Sequence, residues 1–242
     1  MRIRFFLSTV LLVVAGSTVI AGPKVAVPES EFDFGKVVQN ATVSHTFWIK
    51  SAGDDTLRIT RIVPGCGCTK APVTDSVLAP GDSTRLEIVF STKSFRGLVA
   101  KQPFFETNAG TERNYLKIIA DLSVDAEKMR PLVLSPAVVD VSQFTEAPRR
   151  RAKFQITNHD DKDYDLRLVD HAFNNFDIEL PKRIKAGETV DATVVVKEAL
   201  VGEAFEQSIT FELNDANSTR YTVPIKRLVR IKPELSQSTS GR

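Results

Sequence analysis

The constraint that decides the fold is a period of two that runs through short segments and returns twice along the chain. Val43, His45, Phe47 and Ile49 alternate with Ser44, Thr46, Trp48 and Lys50. Successive side chains of an extended strand point to opposite faces, so this pattern puts one face in a core and the other toward solvent. The turn cluster Ser51-Ala52-Gly53-Asp54-Asp55 follows, then Leu57, Ile59 and Ile62. Ala79-Pro80-Gly81-Asp82 turns the chain into Leu86, Ile88 and Phe90. Gly97 interrupts the pattern, Leu98 to Thr107 reads as one further strand, and Asn108-Ala109-Gly110 signals a hairpin before Leu116, Ile118, Ala120 and Leu122. This half carries no run of helical period. About seven short strands in roughly 100 residues predict a β-sandwich.

The pattern then repeats at an offset of about 105–109 residues. Val139-Asp140-Val141 stands where Phe32-Asp33-Phe34 stood. Ala152, Phe154 and Ile156 answer His45, Phe47 and Ile49, and Leu166 and Leu168 answer Leu57 and Ile59. Lys185-Ala186-Gly187-Glu188 answers the Ala79 turn, and Val223 and Ile225 answer Leu116 and Ile118. The expected fold class is therefore all-β: two tandem immunoglobulin-like sandwiches after an N-terminal signal peptide. The expected divisions are a leader over 1–21, a first sandwich over 22–124, a linker over 125–131, a second sandwich over 132–232 and a disordered tail over 233–242.

The leader reading rests on Arg2 and Arg4, the apolar stretch from Phe5 to Ile20, and the small residue Ala21 at the cleavage point. The apolar stretch is short against the roughly 20 residues of a membrane span, so no stable span is expected once the leader is cleaved. No cysteine follows it, which excludes lipid anchoring through an N-terminal cysteine. Of 32 Lys and Arg residues two leave with the leader, and the remainder balance 30 Asp and Glu. A formally neutral chain has no electrostatic footprint for nucleic acid. The expected location is periplasmic or secreted, where disulfides persist.

The two cysteines of the chain sit one residue apart in Pro64-Gly65-Cys66-Gly67-Cys68-Thr69. Glycine between them permits a tight turn, including one of positive φ. Closing a three-residue loop is worth only about 1.6 kcal/mol in the chain-entropy account, against roughly 4.7 for a hundred-residue loop. Global stability is a poor reason for such a bond. The second copy places Ala172-Phe173-Asn174-Asn175 at the equivalent position, without a thiol. If both copies share a fold, the fold does not need the cysteines. Three readings of Cys66 and Cys68 compete: a loop staple or pair of thiols, a redox-active or partner-pairing dithiol, and a copper(I) site between two thiolates. Met129 is the only methionine besides Met1, and no four-ligand set for zinc accompanies the loop. No cofactor is expected, with copper the alternative. Gly65, Gly67, Thr69 and His45 are the expected supports of the loop.

Other residues read more plainly. His45 shares a face with Phe47 and Ile49, as a hydrogen-bonded core histidine or as an acid–base partner of the cysteines. Trp48 falls on the opposite face. Asp160, Asp161, Asp163 and Asp165 lack the glycine and distal glutamate of a calcium loop and read as a solvated turn. Arg149-Arg150-Arg151 reads as a charged strand edge. The sequence contains no nucleophile elbow, phosphate loop, His-rich metal motif or dinucleotide fingerprint, so an enzyme is not expected.

Phe32-Asp33-Phe34-Gly35, His45-Thr46-Phe47, Leu57-Arg58-Ile59, Cys66-Gly67-Cys68-Thr69 and Leu78-Ala79-Pro80-Gly81 together resemble an exported bacterial family, the domain of unknown function numbered fifteen seventy-three. That family is similar to Hydin-type and pilus-chaperone-like immunoglobulin sandwiches. The resemblance covers about residues 27–123; the second half resembles the broader sandwich group only. It implies a seven-stranded immunoglobulin-like fold and export to a bacterial periplasm, and no assigned activity. The function expected is an exported, non-enzymatic binding or scaffolding module that meets an envelope or secreted protein partner through sheet edges and loops. The alternative is a thiol–disulfide redox or copper(I)-handling protein using Cys66 and Cys68.

Overall fold

The computed structural model describes residues 22–172 and 175–230; the leader and the tail expected from sequence lie outside the described residues. The first half runs through β1 (Val25–Ala26), β2 (Glu31–Val38), β3 (Thr42–Ser51), β4 (Leu57–Val63), β5 (Thr69–Lys70), β6 (Val77–Leu78), β7 (Ser83–Ser91), β8 (Gly97–Lys101), β9 (Phe104–Thr107), β10 (Asn114–Tyr115) and β11 (Lys117–Ser123). One layer has the order β1-β3-β7-β5. Across the core from it lie β2, β11 and β8, which belong to a larger sheet, and a separate four-stranded sheet of order β10-β9-β4-β6. The alternating residues do what their period requires: Val43, Phe47 and Ile49 face Leu57, Phe105, Ile118 and Leu122 in one buried cluster. The stretch Leu98 to Thr107 is not one strand. It breaks at Gln102-Pro103, so that β8 pairs with β11 and β9 pairs with β4 and β10. Proline has no N–H to give a ladder, which ends the pairing there.

The second half repeats this plan through β12 (Leu132–Ser135), β13 (Val139–Asp140), β14 (Arg151–Asn158), β15 (Tyr164–His171), β16 (Phe176–Glu179), β17 (Arg183–Ile184), β18 (Thr189–Val196), β19 (Phe205–Leu213) and β20 (Arg220–Arg227). The order β12-β14-β18-β16 matches β1-β3-β7-β5, and β15 lies between β17 and β19 as β4 lies between β6 and β9. A second buried cluster forms around Phe154, Ile156, Val194, Phe211 and Tyr221. The fold is all-β, two immunoglobulin-like sandwiches with their own cores. Between them a single-turn 3-10 helix (Ala126–Lys128) is capped by the Asp125 side chain. It is held to the second core by buried Met129, whose carbonyl accepts the Tyr221 hydroxyl at 3.0 Å.

The two sandwiches share a sheet. β2 runs parallel to β11 along its length and also pairs in parallel with β20 through Lys36↔Tyr221 and Val37↔Thr222. The resulting order is β17-β15-β19-β20-β2-β11-β8. This is possible because β13, the second copy's counterpart of β2, has only two residues and covers β20 at Ile225 and Lys226 alone. The rest of that edge is left for β2. A β-bulge makes the approach fit: the β2–β11 register slips between Ile119 and Asp121, opposite Phe34-Gly35. Before the bulge Phe32 and Phe34 point inward; after it Val37 does. Gly35 has φ +64°, its N–H bonds the Asp33 carboxylate at 2.7 Å, and a Cβ there would lie 2.3 Å from the Arg220 carbonyl oxygen. Only glycine serves a left-handed residue pressed against another backbone.

A charge cluster closes the seam beside it. The Arg220 guanidinium bonds the Asp33 carbonyl at 3.2 Å and Glu212 at 2.9 Å, and Arg167 reaches Glu212 at 2.6 Å. Burial by itself would raise the Glu212 pKa, but the two guanidiniums outweigh it and the carboxyl lies below its usual range.

Two predictions follow from this seam. Gly35→Ala should cost about 2–4 kcal/mol, left-handed strain plus overpacking. Gly81→Ala, at φ +85° with open space around the added Cβ, should cost only the strain, about 1–2 kcal/mol. Urea unfolding of both variants decides; equal losses would remove the seam from the argument. For Glu212 the folded state favours the ionised form. Its contribution is complete above the unfolded pKa of about 4.3 and disappears as pH falls through the lower folded value. Glu212→Gln should therefore lower the urea midpoint near neutral pH and flatten its fall below about pH 4.

Candidate functional site

The cysteine loop leaves β4 at Val63 and returns at β5. Its turn is closed by the Thr69 N–H donating to the Cys66 carbonyl at 3.2 Å, and the Ser91 N–H on β7 holds the Cys68 carbonyl at 2.9 Å. Thr69 then pairs with Phe90. Backbone bonds thus hold both ends of the loop to the sheet. Cys66 and Cys68 form a disulfide with their Cα atoms 5.2 Å apart. Joined in this way, neither sulfur is a thiolate, and the copper(I) reading has no ligand pair in this state. Among the described residues no group of three or more His, Cys, Asp and Glu could hold a metal ion. Both cysteines are half-buried; Cys68 packs against the first core. Thr69 is buried, and its hydroxyl lies 3.3 Å from the Cys66 sulfur and 3.8 Å from that of Cys68.

The two glycines divide differently from the expectation. Gly65, not Gly67, takes the positive φ, at 87°. A Cβ on Gly67 would meet nothing within 4 Å. The left-handed residue thus lies just before the turn that Thr69 closes, after the chain leaves β4. The space a Gly67 side chain would take is open.

His45 does not support this loop. Its ring stacks on Phe32 at 3.7 Å and meets the edge of Phe47 at 4.6 Å. Its Nδ1 lies 2.6 Å from the Asp170 carboxylate on β15, and its Nε2 lies 3.7 Å from Glu29. The core reading is the one the structure supports, with a partner in the other sandwich. A bulge in β15 between Leu168 and Asp170 makes that reach possible. It turns Val169 into the first sandwich's core and aims Asp170 at His45. Around this pair, Ser44 and Ser208 exchange bonds of 3.0 and 3.1 Å, Gln207 bonds Glu87 at 3.2 Å, and Thr222 bonds the Phe34 carbonyl at 2.6 Å. Beside them opens a cleft of about 320 Å³ between the sandwiches, with Trp48, Arg85 and Glu87 on one wall and Asp170 and Gln207 on the other.

The remaining sequence candidates are structural. Asp160 accepts the Tyr164 hydroxyl, and that bond pushes the Tyr164 pKa up to about 12. Asp163 and Asp165 hold Arg183 at 3.2 Å. Arg151 forms an ion pair with Glu179 at 2.6 Å, and because β12 pairs with β14 only from Gln155 to Asn158, Arg151 lies on an uncovered stretch of the strand's edge, as its charge suggested.

Residues 25–122 match the family model described as a protein of unknown function, DUF1573. The DUF1573 region is the first sandwich, β1 to β11, and includes the disulfide loop and the Gly35 bulge. Among solved structures the chain is similar to the Vibrio cholerae VesB protease, at 15% identity and a TM-score of 0.33 over 41% of this chain. It spans only 31% of that protease's length. It is also similar to a protein of unknown function from Porphyromonas gingivalis W83, at 11% identity and a TM-score of 0.35, covering 84% of this chain and 98% of that one. The Pseudomonas aeruginosa CupB2 chaperone is similar at 9% identity and a TM-score of 0.29, covering 82% and 98%. No curated protein matches the chain.

Sequence reasoning missed Asp170, Val169 and Gly35 as seam residues, and the buried Arg227. A signal was present: after Phe32 and Phe34 the next apolar residue is Val37 rather than residue 36, so the alternation slips by one at Gly35. The His45–Asp170 pair yields a prediction. Asp170→Ala leaves a buried imidazole N–H unpaired and should cost about 1–3 kcal/mol. Combined with His45→Ala in a double-mutant cycle, the coupling should be at least about 0.5 kcal/mol, as for residues in contact. Additive losses would show that the pair does not hold the sandwiches together.

Proposed function

We propose that this chain is an exported, non-enzymatic binding or scaffolding module of the bacterial cell envelope that receives an extended segment of a protein partner along β8. The observation that carries the reading is the free edge of that strand. Among the described residues β8 pairs only with β11, and Leu98 within it is the most exposed large hydrophobic, at 78%. Sheet edges are ordinarily shortened, bulged or charged to prevent pairing. Of the five residues of β8 only Lys101 is charged, and its ammonium is drawn over the Phe95 ring at 4.0 Å. An added strand gains main-chain hydrogen bonds there and a side-chain anchor at Leu98. The seam supports the same role, because it holds the second sandwich at a fixed place relative to this edge. Export is supported by the leader pattern of residues 1–21 and by a disulfide, which suits an oxidising compartment.

A photo-crosslinking residue at position 98, compared with one at exposed Lys182, tests the edge in the producing bacterium. A discrete adduct at 98 that is absent at 182 is the expected result. Identical patterns at both positions, or recovery of the protein only in the cytoplasmic fraction, would overturn it.

A further inference from the structure

We propose that the Cys66–Cys68 disulfide is a thiol–disulfide exchange site that oxidises a pair of thiols on another polypeptide. Four observations carry this, and none involves the β8 edge. First, the bond is dispensable to the fold. The second sandwich builds the equivalent connection from β15 to β16 without a cysteine, and β16 pairs with β18 as β5 pairs with β7. Second, the loop is held without the bond, through Thr69 N–H to the Cys66 carbonyl, Ser91 N–H to the Cys68 carbonyl, and Thr69 paired with Phe90. Reduction leaves the two thiols on a fixed turn, ready to close again. Third, the approach is open. Exposed Gly65 and Gly67 flank Cys66 with no side chain, and nothing lies within 4 Å of a Cβ placed on Gly67. Fourth, the buried Thr69 hydroxyl is within reach of both sulfurs, at 3.3 and 3.8 Å, and can donate to whichever becomes a thiolate. From Ile62 to Thr74 the chain carries Lys70 and no acidic residue, so no carboxylate of this segment opposes the thiolate.

The step balances as follows. A substrate thiolate attacks the Cys66 sulfur, the one not packed against the core. A substrate–Cys66 bond forms, the Cys66–Cys68 bond breaks, and its electron pair passes to Cys68, stabilised by the Thr69 hydroxyl and then protonated. The second substrate thiolate attacks the substrate sulfur of the mixed disulfide and expels Cys66 as a thiolate, which takes a proton. The substrate dithiol loses two electrons and two protons, and Cys66 and Cys68 gain them. Thr69 is a positioning residue here, acting on the leaving sulfur.

The test uses the full chain in its oxidised form and a synthetic peptide bearing two cysteines, acid-quenched and weighed intact. The expected result is stoichiometric transfer, one peptide disulfide formed for each chain reduced. In Cys68→Ser the freed Cys66 should attack a single-cysteine peptide activated as its thionitrobenzoate disulfide, releasing thionitrobenzoate and keeping the peptide as a stable mixed disulfide, because no second thiol is present to resolve it. Thr69→Val should slow transfer about tenfold, the effect of removing one hydrogen bond to a charged group, while Thr69→Ser retains the wild-type rate. Circular dichroism of the reduced chain and of the Cys66→Ser/Cys68→Ser double variant should show the fold retained. Peptide oxidation no faster than with the double variant would overturn the proposal, and so would unfolding on reduction. Equal rates for Thr69→Val and wild type would remove Thr69 from the mechanism.

Discussion

The arrangement of the two sandwiches depends on one backbone approach that no side chain can occupy. Gly35 sits against the carbonyl of Arg220, and around it β2 turns from a strand of one sandwich into a shared member of both. Three features agree at this point. The bulge puts Gly35 in the left-handed region, the Asp33 carboxylate takes its N–H, and Thr222 takes the Phe34 carbonyl. The two hydrogen bonds satisfy backbone groups that burial would otherwise leave unpaired. The second copy contributes by what it lacks: β13 is two residues long where β2 is eight. The copies differ most where they meet.

Domain pairs joined by small polar interfaces ordinarily move relative to one another. Here the polar groups accompany a continuous sheet. His45 with Asp170, Ser44 with Ser208 and Gln207 with Glu87 are directional contacts, each satisfied only at one relative placement. Val169 adds an apolar plug into the facing core. The two bulges, at Gly35 and between Leu168 and Asp170, act from opposite sides, each by shifting the parity of a strand. The bulge in β15 turns Val169 and Asp170 toward the neighbouring sandwich, while the bulge at Gly35 returns Val37 to its own core and brings the β2 backbone against β20.

That parity shift marks the limit of what alternation could show. The period of two identified the cores because Phe47, Ile49, Phe154 and Ile156 obey it without interruption. It could not identify Asp170, because a one-residue slip changes which face a side chain takes. Nor could it show Arg227, which is fully buried at the end of β20. Its guanidinium bonds the carbonyls of Val141, Arg149 and Val201 and the Gln143 amide oxygen. These acceptors come from separate loops, and a local pattern carries no information on loops that meet only after folding. The cysteine loop was visible at once, yet His45, assigned to it from sequence, belongs to the seam. A shared strand face places a histidine in the core but does not say which neighbour takes its nitrogen.

The two copies also act as an internal control on the cysteines. In the second sandwich β16 gives four residues to pairing with β18; in the first, β5 gives two to β7. The extra pairs of β16, Ile178 with Val194 and Glu179 with Thr193, come after the position of the cysteine turn, so the turn itself displaces no ladder. A three-residue disulfide loop is worth only about 1.6 kcal/mol by chain entropy, comparable to one or two net hydrogen bonds at about 1 kcal/mol each. On stability alone the bond adds little. What the first sandwich gains is a pair of half-buried sulfurs next to exposed glycines and beside a buried hydroxyl. Those properties concern access and thiolate stabilisation, and a staple requires neither.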